Sequence, residues 1–331
     1  MMGVVKYRLF YISGIVTAVG LLSAFLWGGT KALFITGLLA ILEVTLSFDN
    51  AVVNAKILKR MNALWQERFL TWGILVAVFG TRVFLPILIV AASVGASPWV
   101  IATLAVNDSV QYAKLVADAH YAIGAFGGIF LLLVSLKYFF DAEKNVHWIS
   151  AVERRLARWG SIEAIEIALA LVGIAVLSVL VDSTHQSTVL FSGLIGAILF
   201  IVIEGVASSF DVEAKGVAGS SIALFLYLNV LDSAFSLDGV VGAFALSSDL
   251  VVIGIGLGIG AFFVRSLTVF FVRERMLDTL VYLEHGAHWA IFGLAMTMLG
   301  GLLVPINEVI IGLIGFVFIV LAYVSSKKAL R

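Results

Sequence analysis

Polar residues are sparse and unevenly spaced along this chain, and what they interrupt is a series of long apolar runs. A helix that crosses a bilayer core needs about 20 mostly apolar residues. Ten stretches meet that requirement: 9–28, 31–56, 69–92, 119–140, 161–181, 189–207, 219–246, 250–272, 286–304 and 308–326. The runs are continuous rather than alternating, which argues against a transmembrane β-barrel. The fold class they predict is all-α, a polytopic membrane helix bundle of about ten spans. The first run follows Lys6 and Arg8, as in a signal peptide. No small-residue cleavage site is clear and further spans follow, so it reads as a retained helix.

Two connections stand out. The stretch 93–118 carries Asn107, Asp108, Gln111 and Lys114, and predicts a loop or a surface-lying helix. In 141–160, Val146, Ile149, Val152, Leu156 and Trp159 fall near helical spacing with basic residues between them. That is the pattern of an amphipathic helix on the inner membrane surface.

Composition sharpens the class. Hydrophobic residues make up 62% of the 331, charged residues 13%, and mean hydropathy is +1.11. Soluble domains carry about 25% charged residues. A soluble globular enzyme, a disordered chain and a nucleic-acid binder are thereby excluded, and the lipid bilayer becomes the first partner. The 21 basic and 21 acidic residues cancel. Cysteine is absent, which removes disulfides, thiolate metal sites and iron–sulfur clusters together. A bound metal must rely on oxygen or imidazole ligands.

Basic residues orient the chain. With the N-terminus in the cytoplasm, 17 lysines and arginines fall on inside segments or inner span ends. Only Lys31 and Lys114 lie outside, while Arg82 and Arg265 fall within spans. The positive-inside rule then predicts a multi-pass protein of the plasma (inner) membrane with both termini cytoplasmic.

The chain also repeats itself. SFDNAVVNA at 47–55 matches SLDGVVGA at 236–243; Glu43 precedes Asp49 by six residues, as Asp232 precedes Asp238. The next span of each half carries one arginine, Arg82 or Arg265, and the one after opens on a histidine, His120 or His288. The halves, 1–181 and 182–331, hold five spans each. An odd number reverses polarity, which gives an inverted 5+5 repeat with its substrate site at the repeat interface.

Charges inside a membrane are costly and mark functional candidates. Glu43, Asp49, Asn50, Asp232 and Asp238 are the expected metal ligands, with Ser47, Asn54, Asn229, Ser236, Arg82, Arg265, His120 and His288 in support. In a regular helix Glu43, Ser47, Asn50 and Asn54 share a face, and Asp49 lies about 100° away from Asn50. Either the aspartates face a second partner or the helices unwind there. These hard oxygen donors suit manganese, calcium or magnesium. The acids could instead only pair with the arginines and hold the bundle together. His120 and His288 could ligate a metal or relay protons, or sit at headgroup level beside Tyr121 or Trp289. The role of Glu204 stays open.

At these motifs the sequence resembles the TerC family, within the LysE-like transporter grouping. EVTLSFDNAVVNA (43–55) and LDSAFSLDGVVGAFA (231–245) resemble its two acid motifs, and Arg82 and Arg265 its following-span arginines. The resemblance implies divalent-metal export, with manganese efflux in several members and tellurium resistance in the family's name. The chain departs from that pattern in its ten spans, its long 93–118 and 141–160 connections, and Gly239 where a polar residue is common. The expected cargo is a divalent cation such as Mn2+, with protons as a possible coupling ion; no P-loop is present for nucleotide coupling. Two alternatives stand beside transport: an intramembrane aspartyl hydrolase, and a non-transporting scaffold in metal-stress resistance.

Overall fold

The computed structural model describes residues 2–73, 80, 84–213, 217–247, 249–306 and 308–329, and among them the chain is helical with no strand. The helices of the first part are α1 (Met2–Leu46), α2 (Phe48–Leu58), α3 (Ala63–Arg68), α4 (Leu85–Val94), α5 (Pro98–Asn107) and α6 (Ser109–Asp118). There follow α7 (His120–Phe139), α8 (Ser150–Trp159), α9 (Ile165–Leu180), α10 (Gln186–Glu213) and α11 (Val217–Leu246). The chain closes with α12 (Leu250–Arg273), α13 (Met276–Thr279), α14 (Leu283–Gly301) and α15 (Glu308–Ala329). Among the described residues, four helical stretches are long and apolar enough to cross a membrane: Phe10–Leu46, His120–Phe139, Gln186–Gly205 and Leu250–Arg273. Large apolar side chains such as Phe34, Val179 and Phe191 point outward and are mostly exposed. Apolar surface on that scale belongs against lipid. The protein is a helical membrane protein.

The chain forms two compact units, 1–120 with 210–274 and 121–209 with 275–331. Each takes stretches from both sides of residue 181.

In the first unit, α1 is interrupted at Gly28 and Gly29, and Gly29 has φ 66°, ψ −154°. That left-handed backbone favours glycine. Leu21 and Gly37 stand about 24 Å apart in a straight helix. Here a Cβ on Gly37 would meet Leu21 at 3.9 Å, so α1 folds back as a hairpin. The turn falls in the gap expected between 9–28 and 31–56.

Helix α12 lies along both limbs of this hairpin. Against the first limb, Ser13 Oγ donates to the Phe262 carbonyl (2.9 Å) and lies 2.8 Å from Ser266 Oγ. Gly20 packs beneath Ile255 and Ile259, and Trp27 Nε1 donates to Asp249 Oδ2 at 3.0 Å. Contact positions on α12 fall as those on α1 rise, so this pairing is antiparallel. On the second limb Gly256 meets Leu39 and Gly260 meets Glu43, a parallel pairing. The glycines let the backbones approach closely. Leu39 joins Val240 and Ala243 of α11 and Val252, Ile253 and Leu257 of α12 in a buried cluster.

The stretch 93–118 is a helix pair. Ser97 caps α5 by accepting from Val100 N, and Asp108 caps α6 by accepting from Gln111 N.

In the second unit α7 is almost wholly buried. Gly193 of α10 faces Ile174 of α9, while Gly196 faces the Phe126 backbone of α7. Gly286 and Gly293 of α14 seat α15 at Ala322, Phe318 and Ile314. Glu204 pairs with Lys137 at 3.5 Å, which accounts for the acid left open above.

The connection 141–160 differs from a simple surface helix. Only 150–159 is helical, and its buried positions are Glu153 and Ala157, whereas Val146, Val152 and Trp159 are exposed. Glu153 accepts from Trp148 N (3.1 Å), Ile149 N (3.2 Å) and Trp289 Nε1 (3.0 Å), and meets His285 Nδ1 at 2.8 Å. Lys144 Nζ adds an ion pair at 3.4 Å. Burial works to raise this carboxyl. Hydrogen bonds from His285 and Trp289 and the charges of His285 and Lys144 outweigh it and hold the carboxyl at about 2. At the far end, Gly160 sits so close to the Phe140 carbonyl that no side chain would fit. Both ends of the connection are therefore tied down.

Candidate functional site

The acid motifs meet in the first unit, where α2, α11 and α12 converge. Ser47 separates α1 from α2 with φ −102° and ψ 15°. Backbone hydrogen bonds continue on both sides, Ser47 N to Glu43 O at 2.9 Å and Ala51 N to Ser47 O at 3.3 Å. The helix thus bends without unwinding, and it bends at Ser47 rather than at Asp49. Helix α11 runs through Asp232 and Asp238 unbroken.

Glu43 closes the second limb of α1. It is buried, and Ser47 Oγ donates to its Oε1 at 3.1 Å. Two glycines from two other helices flank it. A Cβ on Gly239 would stand 2.9 Å from Oε2, and one on Gly260 would overlap Cβ and Cγ. The glycine in the second acid motif is thereby explained: a side chain there would displace the first motif's glutamate. Asp49, also buried, accepts from Asn50 N at 3.0 Å.

Asn50 and Asn54, one turn apart, are buried on the next face of α2. Asn54 Nδ2 donates to Asp232 Oδ1 at 3.3 Å, a direct link between the two motifs. The remaining amide oxygens, Asn50 Oδ1 and Asn54 Oδ1, are buried and have no hydrogen-bond partner. Burying a polar atom unpaired costs about 1–3 kcal/mol. Both residues line a cavity of about 40 Å3 together with Ser47, Asp232, Arg265 and Thr268. One water requires on the order of 10–15 Å3, so the cavity admits a few waters or one partly hydrated ion.

The other expected residues are placed as follows. Ser236 is buried and its Oγ has no partner; Asn229 donates to the Phe225 carbonyl at 2.7 Å. His120 is half-buried at the start of α7. His288 belongs to the second unit, where it stacks on Tyr138 with ring centroids 3.6 Å apart. Arg82 and the Asp238 side chain lie outside the described residues. Among the described residues no group of three or more His, Asp or Glu side chains is placed to hold a metal ion. The oxygens that converge are two amides, hydroxyls and one carboxylate. Thr268 and Gly260 were not singled out from sequence, although the glycines of GIGLGIG (254–260) signal close helix approach.

These features define a helical membrane protein with a small cavity, lined by polar side chains of Asn50, Asn54, Asp232 and Arg265 among apolar ones, beside a motif of paired acids. The chain belongs to the family described as protein of unknown function (DUF475), which matches residues 48–331. No curated protein and no solved structure matches it.

Proposed function

We propose that this protein is a transporter that exports a divalent cation, manganese foremost, across the plasma membrane. In this reading it has ten spans in an inverted 5+5 repeat with both termini cytoplasmic, and it works as a TerC-like carrier. The observation that carries the proposal is the pair of orphaned amide oxygens, Asn50 Oδ1 and Asn54 Oδ1, in the cavity that Asp232 also lines. A cation in transit would satisfy them at the moment of passage. Oxygen-only coordination favours manganese over softer metals, and magnesium, the hard competitor, dehydrates reluctantly. Glu43 and Asp49 lie behind this first set of donors and supply negative charge; Arg265 balances it when no ion is bound. Protonation of the carboxylates on the releasing side would weaken binding, which couples efflux to protons.

The test is manganese flux in proteoliposomes containing a metal-sensing dye, with an imposed pH gradient and clamped membrane potential. Flux that speeds up when the releasing side is acidified is expected. Flux indifferent to the gradient removes the coupling, and robust flux of another substrate without manganese flux removes the ion assignment.

A further inference from the structure

A second cavity, of about 510 Å3, lies at the connection between α7 and α9, lined by Ala142, Lys144, His147, Arg154, Arg158 and Ser161 among others. We propose that it binds the phosphate group of an anionic membrane lipid. This does not depend on the cation reading.

The charge is unbalanced toward the cavity. Lys144 Nζ is buried behind the cavity wall, paired with Glu153 at 3.4 Å and seated over the Tyr138 ring at 4.0 Å, so it adds positive charge rather than a free donor. Arg154 and Arg158 project from the exposed face of α8 one turn apart. His147 lines the cavity, while its buried Nδ1 lies 3.9 Å from Glu153 Oε2 on the inner side. The acids of the same segment, Asp141 and Glu143, are exposed and do not line the cavity. A phosphate offers several acceptor oxygens to this forked set of donors.

The frame is built to hold. Glu153 ties the start of α8 to α14, and the Gly160–Phe140 contact closes its end. The walls therefore keep their spacing without a ligand.

Lipid is favoured over free phosphate by what surrounds the cavity. The segment follows the span-length helix α7. Val146, Val152, Trp159 and Ile162 are 41–54% exposed on the same short stretch. Acyl chains would cover such side chains while the headgroup meets the basic ones.

The experiment uses the full-length protein, delipidated in detergent, with native mass spectrometry to read retained lipid. Phosphatidylglycerol is compared with phosphatidylethanolamine and with inorganic phosphate. Wild type should retain phosphatidylglycerol preferentially, and Arg154→Gln/Arg158→Gln should lower its affinity by roughly 25-fold, at about fivefold for each basic residue. Arg155→Gln, on the same helix but outside the cavity lining, should change it little. Both variant sites are exposed, and an unchanged melting temperature separates lost binding from lost folding. Equal losses in the two variants, or equal retention of the two lipids by wild type, would overturn the proposal. Inorganic phosphate that binds alone and displaces the lipid would overturn the lipid source while keeping the phosphate site.

Discussion

Glu43 and Gly260 share one contact: the glutamate's Cβ and Cγ occupy the space that any side chain on Gly260 would need. A carboxylate at the end of one helix is thus seated by a missing methyl on another. Gly260→Ala must move Glu43 or part the helices, and overpacking of this kind costs about 1–3 kcal/mol. A lower melting temperature and reduced manganese flux are expected. Gly254→Ala, where nothing lies within 4 Å, should leave both unchanged.

Asn50→Leu separates folding from transport. Removing a buried acceptor that has no partner is close to neutral for stability. Protein abundance should hold while manganese resistance is lost; retained resistance would show that the amide oxygen meets no ion.

Asp49→Asn keeps an oxygen for the Asn50 N–H and replaces the ionisable carboxyl with a neutral amide. Abundance near that of wild type with abolished metal resistance is expected, and likewise for Asp238→Asn. Normal transport by both variants would end the cation-pathway reading.

Glu153 gives the fold a pH dependence. Its carboxyl titrates at about 2 when folded, against a usual value of 4.5. The unfolded chain takes up the proton first as pH falls. The stabilisation is therefore complete above about 4.5 and is lost on descending through 2, a difference on the order of 3 kcal/mol. Thermal melts across that window should show this slope, and Glu153→Gln should flatten it. At neutral pH the same substitution leaves Lys144 buried without its counter-charge, at a cost of about 3–5 kcal/mol. Lys144→Met in the Glu153→Gln background should recover part of that loss.

Much of the helical layout was legible in the sequence, because apolar runs and their interruptions follow directly from the thickness of a bilayer. Helix bounds fall within a few residues of the expected 119–140, 219–246, 250–272 and 308–326. The turn at Gly28–Gly29 was marked by the break between two runs. The cavity was less legible. Spacing put Asn50 and Asn54 on one face, but not the distance from Asn54 to Asp232, which depends on how α2 and α11 approach. Glu153 was missed for another reason. Periodicity ranks an acid on a basic amphipathic helix as solvent-facing, whereas its burial comes from donors over a hundred residues away, His285 and Trp289. The Ser150-x-x-Glu153 spacing resembles a capping box, yet the N-cap is Ile149 and no side chain caps α8; Glu153 instead accepts from the amides of Trp148 and Ile149 just ahead of the helix.

The docking of α12 along both limbs of α1 sets a timetable for biosynthesis. The hairpin is synthesised before the helix that fills its groove, which follows more than two hundred residues later. Until then the groove of Gly20, Leu39 and Glu43 lacks its own α12. A nascent chain stalled before residue 250 would present a glutamate that is buried in the finished fold and an uncovered helix face within the bilayer, where an uncompensated charge is costly. Arrival of α12 is thus the step at which the first unit's helix face and Glu43 become covered.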